Sequence, residues 1–319
     1  MNQEGPGSVV VSVDAELGWG YHDLDSPPAE RLEAARPGWA TLIDLFEEYE
    51  VPATWAVVGH LLLETCDGIH GDHPAPSGWF AREREEWADR PDLRFGRGLV
   101  DDLLASDVAH DVGCHSFSHA EFGDPETKRE FARAEVEASV DSARERGLHV
   151  RSFVFPRNNI GHRDVLADAP FTCYRGHSPV EPAGRLRPAR KLWRVLFGGD
   201  LLVQPDVDEY GLVNVPRSLF LFGFEGLPRT LLEPITGDPI VRQVRRGLEQ
   251  ASQEQGLFHV TLHPNDLIGE KEVRRMEAVL SLIETYRRES SVEVETMGDV
   301  ADRVLTASGM APRPTGVNP

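Results

Sequence analysis

His115-Ser-Phe-Ser-His119 holds two imidazoles with three residues between them. On one helical turn, or on a tight loop entering a helix, side chains at that spacing are neighbours, so both can point at one metal ion. Asp14-Ala-Glu16 places two carboxylates where the first strong strand pattern ends, and alternate residues of an extended chain share a face. His263 ends a late strand pattern. Two imidazoles and a carboxylate around a divalent ion, with a second carboxylate and a further histidine beside them, are the parts of a hydrolytic centre. Each part has a plainer reading. Asp14 and Glu16 suit a solvated turn or a helix cap, although the run of β-branched and small residues leading straight into them argues against it. The His pair suits a hydrogen-bonded loop, and it is not the zinc-protease helix motif, because Ser116 stands where that motif needs Glu. His259 shares a strand with His263, so one of the two is expected to be structural; His263 is favoured because it ends the strand. Arg157, after Pro156, is expected to be an electrostatic partner of nearby carboxylates rather than a surface residue.

The elements that must position these residues alternate in type. Ser8 to Val13 reads as a buried parallel strand. Ala29 to Tyr49 reads as helix, with Pro37 a point where it splits in two. Val51 to Gly59 is a second strand pattern, and His60 to Glu64 the start of a helix. Cys66 to Asp101 is a loop-rich, Gly/Pro-bearing insertion in which His70 and His73 are expected to be solvated. Val108 to Cys114 reads as the strand feeding the His pair, and Pro125 to Arg146 as an amphipathic helix closed by Gly147. Further strands are expected at Ser152 to Pro156, Thr172 to Tyr174, Gly211 to Val215, Phe258 to Leu262 and Val292 to Thr296. Helices are expected at Pro239 to Glu254, with Asp238 as N-cap, at Glu270 to Arg288 and at Met297 to Ala307. Asp14, His115, Arg157 and His263 all fall at strand ends, which is where α/β barrels carry their sites. One α/β barrel-like domain over residues 1–307 follows, with insertions at about 66–101 and 193–235 and a disordered tail at 308–319. The apolar segment Trp193 to Leu232 reads as extra core, or as a lid or groove for a lipid-linked or bulky sugar.

Thirty-three basic against 53 acidic residues give a net charge of −20, which disfavours a nucleic-acid partner. Lys128, Lys191 and Lys271 are the sole lysines, and an acidic surface with so little Lys fits adaptation to high salt, or an Arg-favouring genome. Cys66, Cys114 and Cys173 form no readable disulfide framework or zinc ribbon, and Cys114 is expected to be a small buried residue. The polar first residues lack signal-peptide features and no run reaches membrane-span length, so a cytoplasmic location is the expectation.

In this order, from about Val9 to about Leu267, the pieces resemble the NodB-homology polysaccharide deacetylases. Ser12-Val-Asp14-Ala-Glu16 is a spaced variant of that family's Thr-Phe-Asp-Asp, and His115-Ser-Phe-Ser-His119 matches its His-Ser/Thr-x-x-His. Ala53-Thr-Trp-Ala-Val-Val-Gly59 resembles Ala-Thr-Phe-Phe-Val-Val-Gly, and Thr261-Leu-His263 resembles Leu-Leu-His. Two motifs depart. Arg-x-Pro-Tyr-Gly becomes Val154-Phe-Pro-Arg-Asn158, so that Arg157 stands on the other side of the proline, and no Asp-Trp pair occurs near Tyr174-Arg-Gly-His177. The resemblance implies a distorted (β/α) barrel and a metal-dependent N-deacetylase of a carbohydrate. Its metal ligands would be Glu16, His115 and His119, its base Asp14 and its acid His263, with Arg157 near the oxyanion. Asp14 and Glu16 could exchange roles, and the longer Glu is assigned as ligand. Zinc is the first choice of metal, with cobalt, nickel and manganese admitted by the same ligands. With no signal-peptide features, an intracellular substrate is expected rather than a finished cell wall: a nucleotide sugar, a lipid-linked glycan precursor or a glycoconjugate intermediate. The Asp-x-Glu variant also admits a hydrolase of cyclic amides or ureides, and the missing motifs admit a non-catalytic sugar-binding domain.

Overall fold

The computed structural model describes residues 6–179, 199–223, 237–290 and 292–310. Strand β1, Ser8–Ala15, is buried along its whole length. It pairs in parallel with β2 (Thr54–Val57) and β10 (Glu293–Glu295) along one edge and with β9 (Leu257–Leu262) along the other. A strand flanked on both edges and covered on both faces must be apolar nearly throughout, which is why Val9-Val-Val-Ser-Val13 sits here. The sheet continues through β3 (Asp111–Cys114), β4 (Ser152–Phe153), β5 (Cys173–Gly176), β7 (Val213–Pro216) and β6 (Asp206–Val207), with β8 (Leu219–Phe220) on the far side of β9. All pairings of these strands are parallel except β6 with β7. The architecture is a curled, parallel-dominated sheet in an α/β frame, a distorted (β/α) barrel.

Alternation along β1 divides its side chains between two cores. Val9, Val11 and Val13 join the main cluster beneath the outer helices. Val10 joins Ala56, Val154, Cys173, Val213, Val215 and Leu257 in a second cluster closed by helix Met297–Ala307, whose Met297, Val300, Ala301, Val304 and Leu305 supply the apolar stripe. That helix starts on a Thr296/Asp299 capping box. Continuing Val10's alternation, Ser12 and then Asp14 carry the same face from an apolar layer to polar ones.

Among the outer elements, α1 (Ala29–Glu48) runs unbroken through Pro37, contrary to the expected split. Pro37 and Glu33, whose carbonyl it leaves without a helical donor, are both exposed to water, while Trp39, Leu42 and Phe46 hold the helix on the core. Residues 59–62 form a short 3-10 turn rather than the start of a helix. The insertion is less loop-like than its composition implies: it holds α2 (Ala81–Arg84), α3 (Pro91–Arg94) and α4 (Arg97–Leu104). Helix α5 is Arg129–Glu145 and α6 is Arg163–Ala167. Helix α7, Pro239–Glu254, begins where Asp238 accepts hydrogen bonds from the Ile240 and Val241 amides, as its cap-and-proline start predicts. Helix α8 is Glu270–Glu289, and α9 is the closing Met297–Ala307. Residues 193–198 and 224–232 of the apolar segment Trp193 to Leu232, and the tail from residue 311, lie outside the described residues; of the rest, Leu201, Leu221 and Phe222 are buried in the main core.

Gly38 of α1 lies against the turn Pro264–Asp266 that follows β9; a Cβ there would stand 2.0 Å from the Pro264 carbonyl oxygen. Gly38→Ala is therefore expected to cost about 1–3 kcal/mol through overpacking, despite alanine's better helix propensity of about 1 kcal/mol. Denaturant unfolding would check it; a variant as stable as the parent would refute the close packing.

Candidate metal centre and catalytic cleft

β1 delivers Asp14 within the strand and Glu16 just beyond it, both almost wholly buried. β3 delivers His115, and the following loop returns His119. Ser116 and His119 adopt left-handed backbone angles, φ 56° and 63°, so the pair sits on a tight loop and not on a helical turn. Such a loop needs outside support. Buried Glu135 of α5 supplies it, accepting hydrogen bonds from the Ser118 amide (2.8 Å) and hydroxyl (2.6 Å). The amides of Gly59 and His60 donate to the carbonyls of Ser116 and Phe117 at 2.8 and 2.9 Å. Ser116 Oγ accepts from the Ala120 amide.

The loop brings the two imidazoles and one carboxylate together. Glu16 Oε2 lies 3.2 Å from His119 Nε2 and 3.6 Å from His115 Nε2. His115 Nδ1 donates to the Val154 carbonyl at 2.8 Å, which leaves Nε2 as the lone-pair nitrogen. That Nε2 is buried and has no hydrogen-bond partner. A buried, unsatisfied imidazole nitrogen turned towards a second imidazole and a carboxylate is the donor set of a divalent-metal site, so these residues fit one. Burial alone would raise the Glu16 carboxyl; the charge of His263 and the nearby His115 and His119 imidazoles overcome it and hold it well below the usual carboxylate range. Burial, with the neighbouring His115 and Arg157 charges, lowers His119 against the opposing pull of Glu16.

Asp14 is held differently. Arg175, on β5 and almost wholly buried, grips it with two parallel bonds, Nη1 to Oδ1 at 2.5 Å and Nη2 to Oδ2 at 2.7 Å. Arg175 also donates to Ser12 Oγ (3.2 Å) and to Asn158 Oδ1 (3.1 Å). Burial pushes the Asp14 carboxyl up, but Arg175, helped by His115 and His263, keeps it ionised far below the usual range. Below this pair, His259 meets Ser12 Oγ at 2.9 Å and, through Nδ1, donates to the Pro216 carbonyl at 3.1 Å. His259 is the histidine of β9 that is locked inside the sheet. Burial and the Arg175 charge push it down to about 3.

His263 lies at the rim. Its Nε2 is 3.5 Å from Asp14 Oδ2, and its Nδ1 donates to Asp266 Oδ2 at 3.1 Å. Burial would lower it, but Glu16, Asp266 and Asp14 together raise it to about 9. Asp266 is fixed in turn by the His263 amide and by Arg31, and Asn265 donates to Glu16 Oε1 at 3.2 Å. Asp14, Glu16, His119 and His263 open onto a cleft of about 340 Å³ whose walls include Tyr21, Arg31 and Phe220.

Arg157 reaches this cleft wall but does not partner Asp14. Its guanidinium binds Asp23 (2.5 Å) and Glu121 (3.0 Å) at the exposed rim. Its left-handed backbone, φ 53°, turns it outwards, and the charge beside Asp14 comes from Arg175 instead. Two functional positions escaped the sequence reading. Arg175 continues the period-2 pattern of the short strand Thr172 to Tyr174, and a charged residue ending such a strand was the available signal. Asp266, three residues after His263 in His-Pro-Asn-Asp, has the spacing of a capping box. His70 and His73 are also not solvated: their side chains are 11% and 10% exposed and pack on Phe80. Cys114 is buried in β3, as expected.

No family model and no curated protein matches this sequence. Solved structures do. A Mycobacterium smegmatis protein assigned as a polysaccharide deacetylase is similar with a TM-score of 0.63 at 15% identity, over 100% of this chain and 97% of that one. The fold is that of the NodB-homology polysaccharide deacetylases. A polysaccharide deacetylase assignment from Pseudomonas aeruginosa PAO1 is similar at a TM-score of 0.54 and 11% identity, over 96% of this chain and 92% of that one. The same fold also serves Puue allantoinase, with a TM-score of 0.57 at 11% identity over 96% and 91% of the two chains. At these identities the likeness extends to the fold, and the chemistry has to be argued from the cleft itself.

The two arginines should separate in a stability measurement. Arg175→Met strands a buried carboxylate and is expected to cost about 3–5 kcal/mol, whereas Arg157→Met, at the rim, should cost under about 1 kcal/mol. Equal losses in denaturant unfolding would contradict the assignment. His259 predicts a pH effect. Unfolded, its imidazole takes a proton near 6.5, but folded only near 3. Its contribution is therefore full above 6.5 and lost as pH falls towards 3, at up to about 1.4 kcal/mol per pH unit. The slope of unfolding free energy against pH in that window should flatten in His259→Gln; an unchanged slope would show that His259 is protonated in the fold.

Proposed function

We propose that this protein is a metal-dependent hydrolase that removes N-acetyl groups from a sugar or glycan precursor. The observation that carries the reading is the division of labour in the cleft: a buried Glu16/His115/His119 donor set beside a separately held Asp14–Arg175 pair and a protonated His263. Glu16, His115 and His119 would hold a divalent cation, with zinc preferred for its affinity for imidazole. Bound there, it would supply a water of lowered pKa and polarise the amide carbonyl.

The chain's own residues then do the proton chemistry. Asp14, kept ionised by Arg175, accepts the proton of the attacking water through the carboxylate edge that faces His263. The two-pronged Arg175 grip on Asp14, and the approach of Glu16 Oε2 to both imidazoles, support Asp14 as base and Glu16 as ligand. His263, charged at neutral pH because Glu16, Asp266 and Asp14 surround it, and held at Nδ1 by Asp266, donates from Nε2 to the departing amine. Arg31 anchors Asp266 and so keeps the His263 ring oriented. Tyr21 and Phe220 give the cleft a ring-bearing wall suited to one face of a pyranose. Among the described residues no helix is long and apolar enough to cross a membrane. A nucleotide-linked or lipid-linked precursor fits the reading as well as a free glycan does.

Acetate release from N-acetyl sugars, measured with and without chelator, tests the reading. Acetate that disappears on chelation and returns with zinc is expected. Ring-opened acid from a cyclic ureide, with no acetate from any N-acetyl sugar, would move the protein to the amide-ring hydrolases that share the fold. Asp14→Asn and His263→Ala should each lower kcat by about 10²–10⁴-fold while keeping this site's metal. His119→Ala should lose that metal and the activity together, and retention of both would exclude His119 as a ligand.

A further inference from the structure

A second group of ligand-type side chains lies outside the cleft. His60, in the turn after β2, meets Cys66, His70 and Glu83 of the insertion, and one donor atom from each lies within 4.8 Å of all the others. His60 and Glu83 are fully enclosed in the protein, at 0% and 2% exposure. His60 Nε2 and Glu83 Oε1 approach to 2.7 Å, yet neither has a hydrogen-bond partner of acceptable geometry. His70 Nε2 stands 3.4 Å from both Cys66 Sγ and Glu83 Oε1. The edges of a tetrahedral zinc site with sulfur, nitrogen and oxygen ligands are about 3.3–3.6 Å, from the usual metal–ligand lengths. The two His70 distances already match that figure, and a small opening of the His60–Glu83 contact would bring it to the same length.

The surroundings are those of ligands held in readiness. His60 Nδ1 faces the Arg94 carbonyl at 3.3 Å, so it carries the proton and Nε2 presents its lone pair inwards. The Gly68 amide donates to Cys66 Sγ at 3.3 Å, a bond that favours a thiolate. Arg94 donates to the other Glu83 oxygen at 3.1 Å and to the Cys66 carbonyl at 2.8 Å. A thiolate and a carboxylate balance a divalent cation, the two imidazoles stay neutral, and the thiol proton leaves to solvent on binding.

We propose that His60, Cys66, His70 and Glu83 form a second, structural site for a divalent cation of zinc's class. Four protein donors leave no open position, which marks a structural rather than a catalytic centre, and the thiolate-imidazole mixture selects zinc over magnesium or calcium. The site clasps the insertion onto the back of the catalytic loop. Phe117, between His115 and His119, packs its ring on His60 and His70 at centroid distances of 5.4 and 5.9 Å. Trp19, close after Glu16, lies 4.4 Å from the His60 ring. Holding His60 and His70 therefore fixes the platform beneath two ligands of the first centre. The proposal does not depend on the deacetylase reading, and a protein inactive on every N-acetyl sugar would leave it standing.

Cobalt titration of the metal-free His115→Ala/His119→Ala protein tests it, because the first centre contains no sulfur. The double variant is expected to bind one equivalent of Co²⁺ with a thiolate-to-cobalt charge-transfer band in the near ultraviolet, and to melt at higher temperature when loaded with zinc. Adding Cys66→Ala should abolish the band, and adding Glu83→Gln should weaken cobalt binding about tenfold or more. Should Cys66→Ala not fold, the titration of the double variant and of its Glu83→Gln form decides. No stoichiometric cobalt in the double variant, cobalt bound without the band, or a band that survives Cys66→Ala would each overturn the site, leaving His60 and Glu83 as an ordinary buried ion pair.

Discussion

The site depends on the two-pronged bond between Arg175 and Asp14. The protein carries a net charge of −20, and its cleft concentrates further carboxylates at Asp14, Glu16 and Asp266. A buried carboxylate without a counter-ion would take up a proton, since desolvation disfavours the charged form. Arg175 prevents that at Asp14, and Ser12, Asn158 and His259 fix the arginine or its neighbours in turn. The pair also constrains the sheet. β1 and β5 are separated by β2, β3 and β4, so they meet only because the sheet curls and its concave face turns inwards. The helix Met297–Ala307 fills the rest of that face with apolar side chains. The curl that brings Arg175 to Asp14 is thus supported by a hydrophobic plug below and a polar layer above.

Part of the left-handed backbone lies beside the cleft, while Glu50 and Gln255 carry it at helix ends elsewhere. Ser116, His119, Arg157 and Asn158 all have positive φ without being glycine, and all lie at the carboxyl ends of strands β3 and β4 around the cleft. Such conformations persist only where the surroundings over-determine them. At the His loop those surroundings are Glu135, the Gly59 and His60 amides, and the packed rings of the insertion around Phe117. The insertion therefore belongs to the architecture of the site, because it backs the loop that carries His115 and His119.

Much of the fold was legible in short-range pattern. The β-branched run of β1, the cap-and-proline start of α7 and the extents of α7 and α9 are local properties, and they appear where spacing placed them. Pro37 misled because a helix tolerates proline when the carbonyl it orphans faces water and the opposite face is well packed. The insertion misled because Gly and Pro content reports turns but says nothing of what the turns enclose. His70 looked like a solvated loop residue and lies stacked on Phe80 at 3.9 Å.

The sequence by itself determined the chemistry available: two imidazoles with three residues between them, a carboxylate pair at a strand end and a histidine ending another strand, all on one rim of an α/β sheet. Those follow from periodicity and strand-end position, which act over a few residues. Only the tertiary structure decided how the groups are partnered: Arg175 rather than Arg157 on Asp14, Asp266 on His263, and His60 with Cys66, His70 and Glu83. The physical reason is range. Arg175 and Asp14 are 161 residues apart in the chain, and their bond exists because the sheet curls and excludes water from the space between them. Burial turns an ordinary charge pair into a necessary one, and burial is a property of the assembled fold that no local pattern carries.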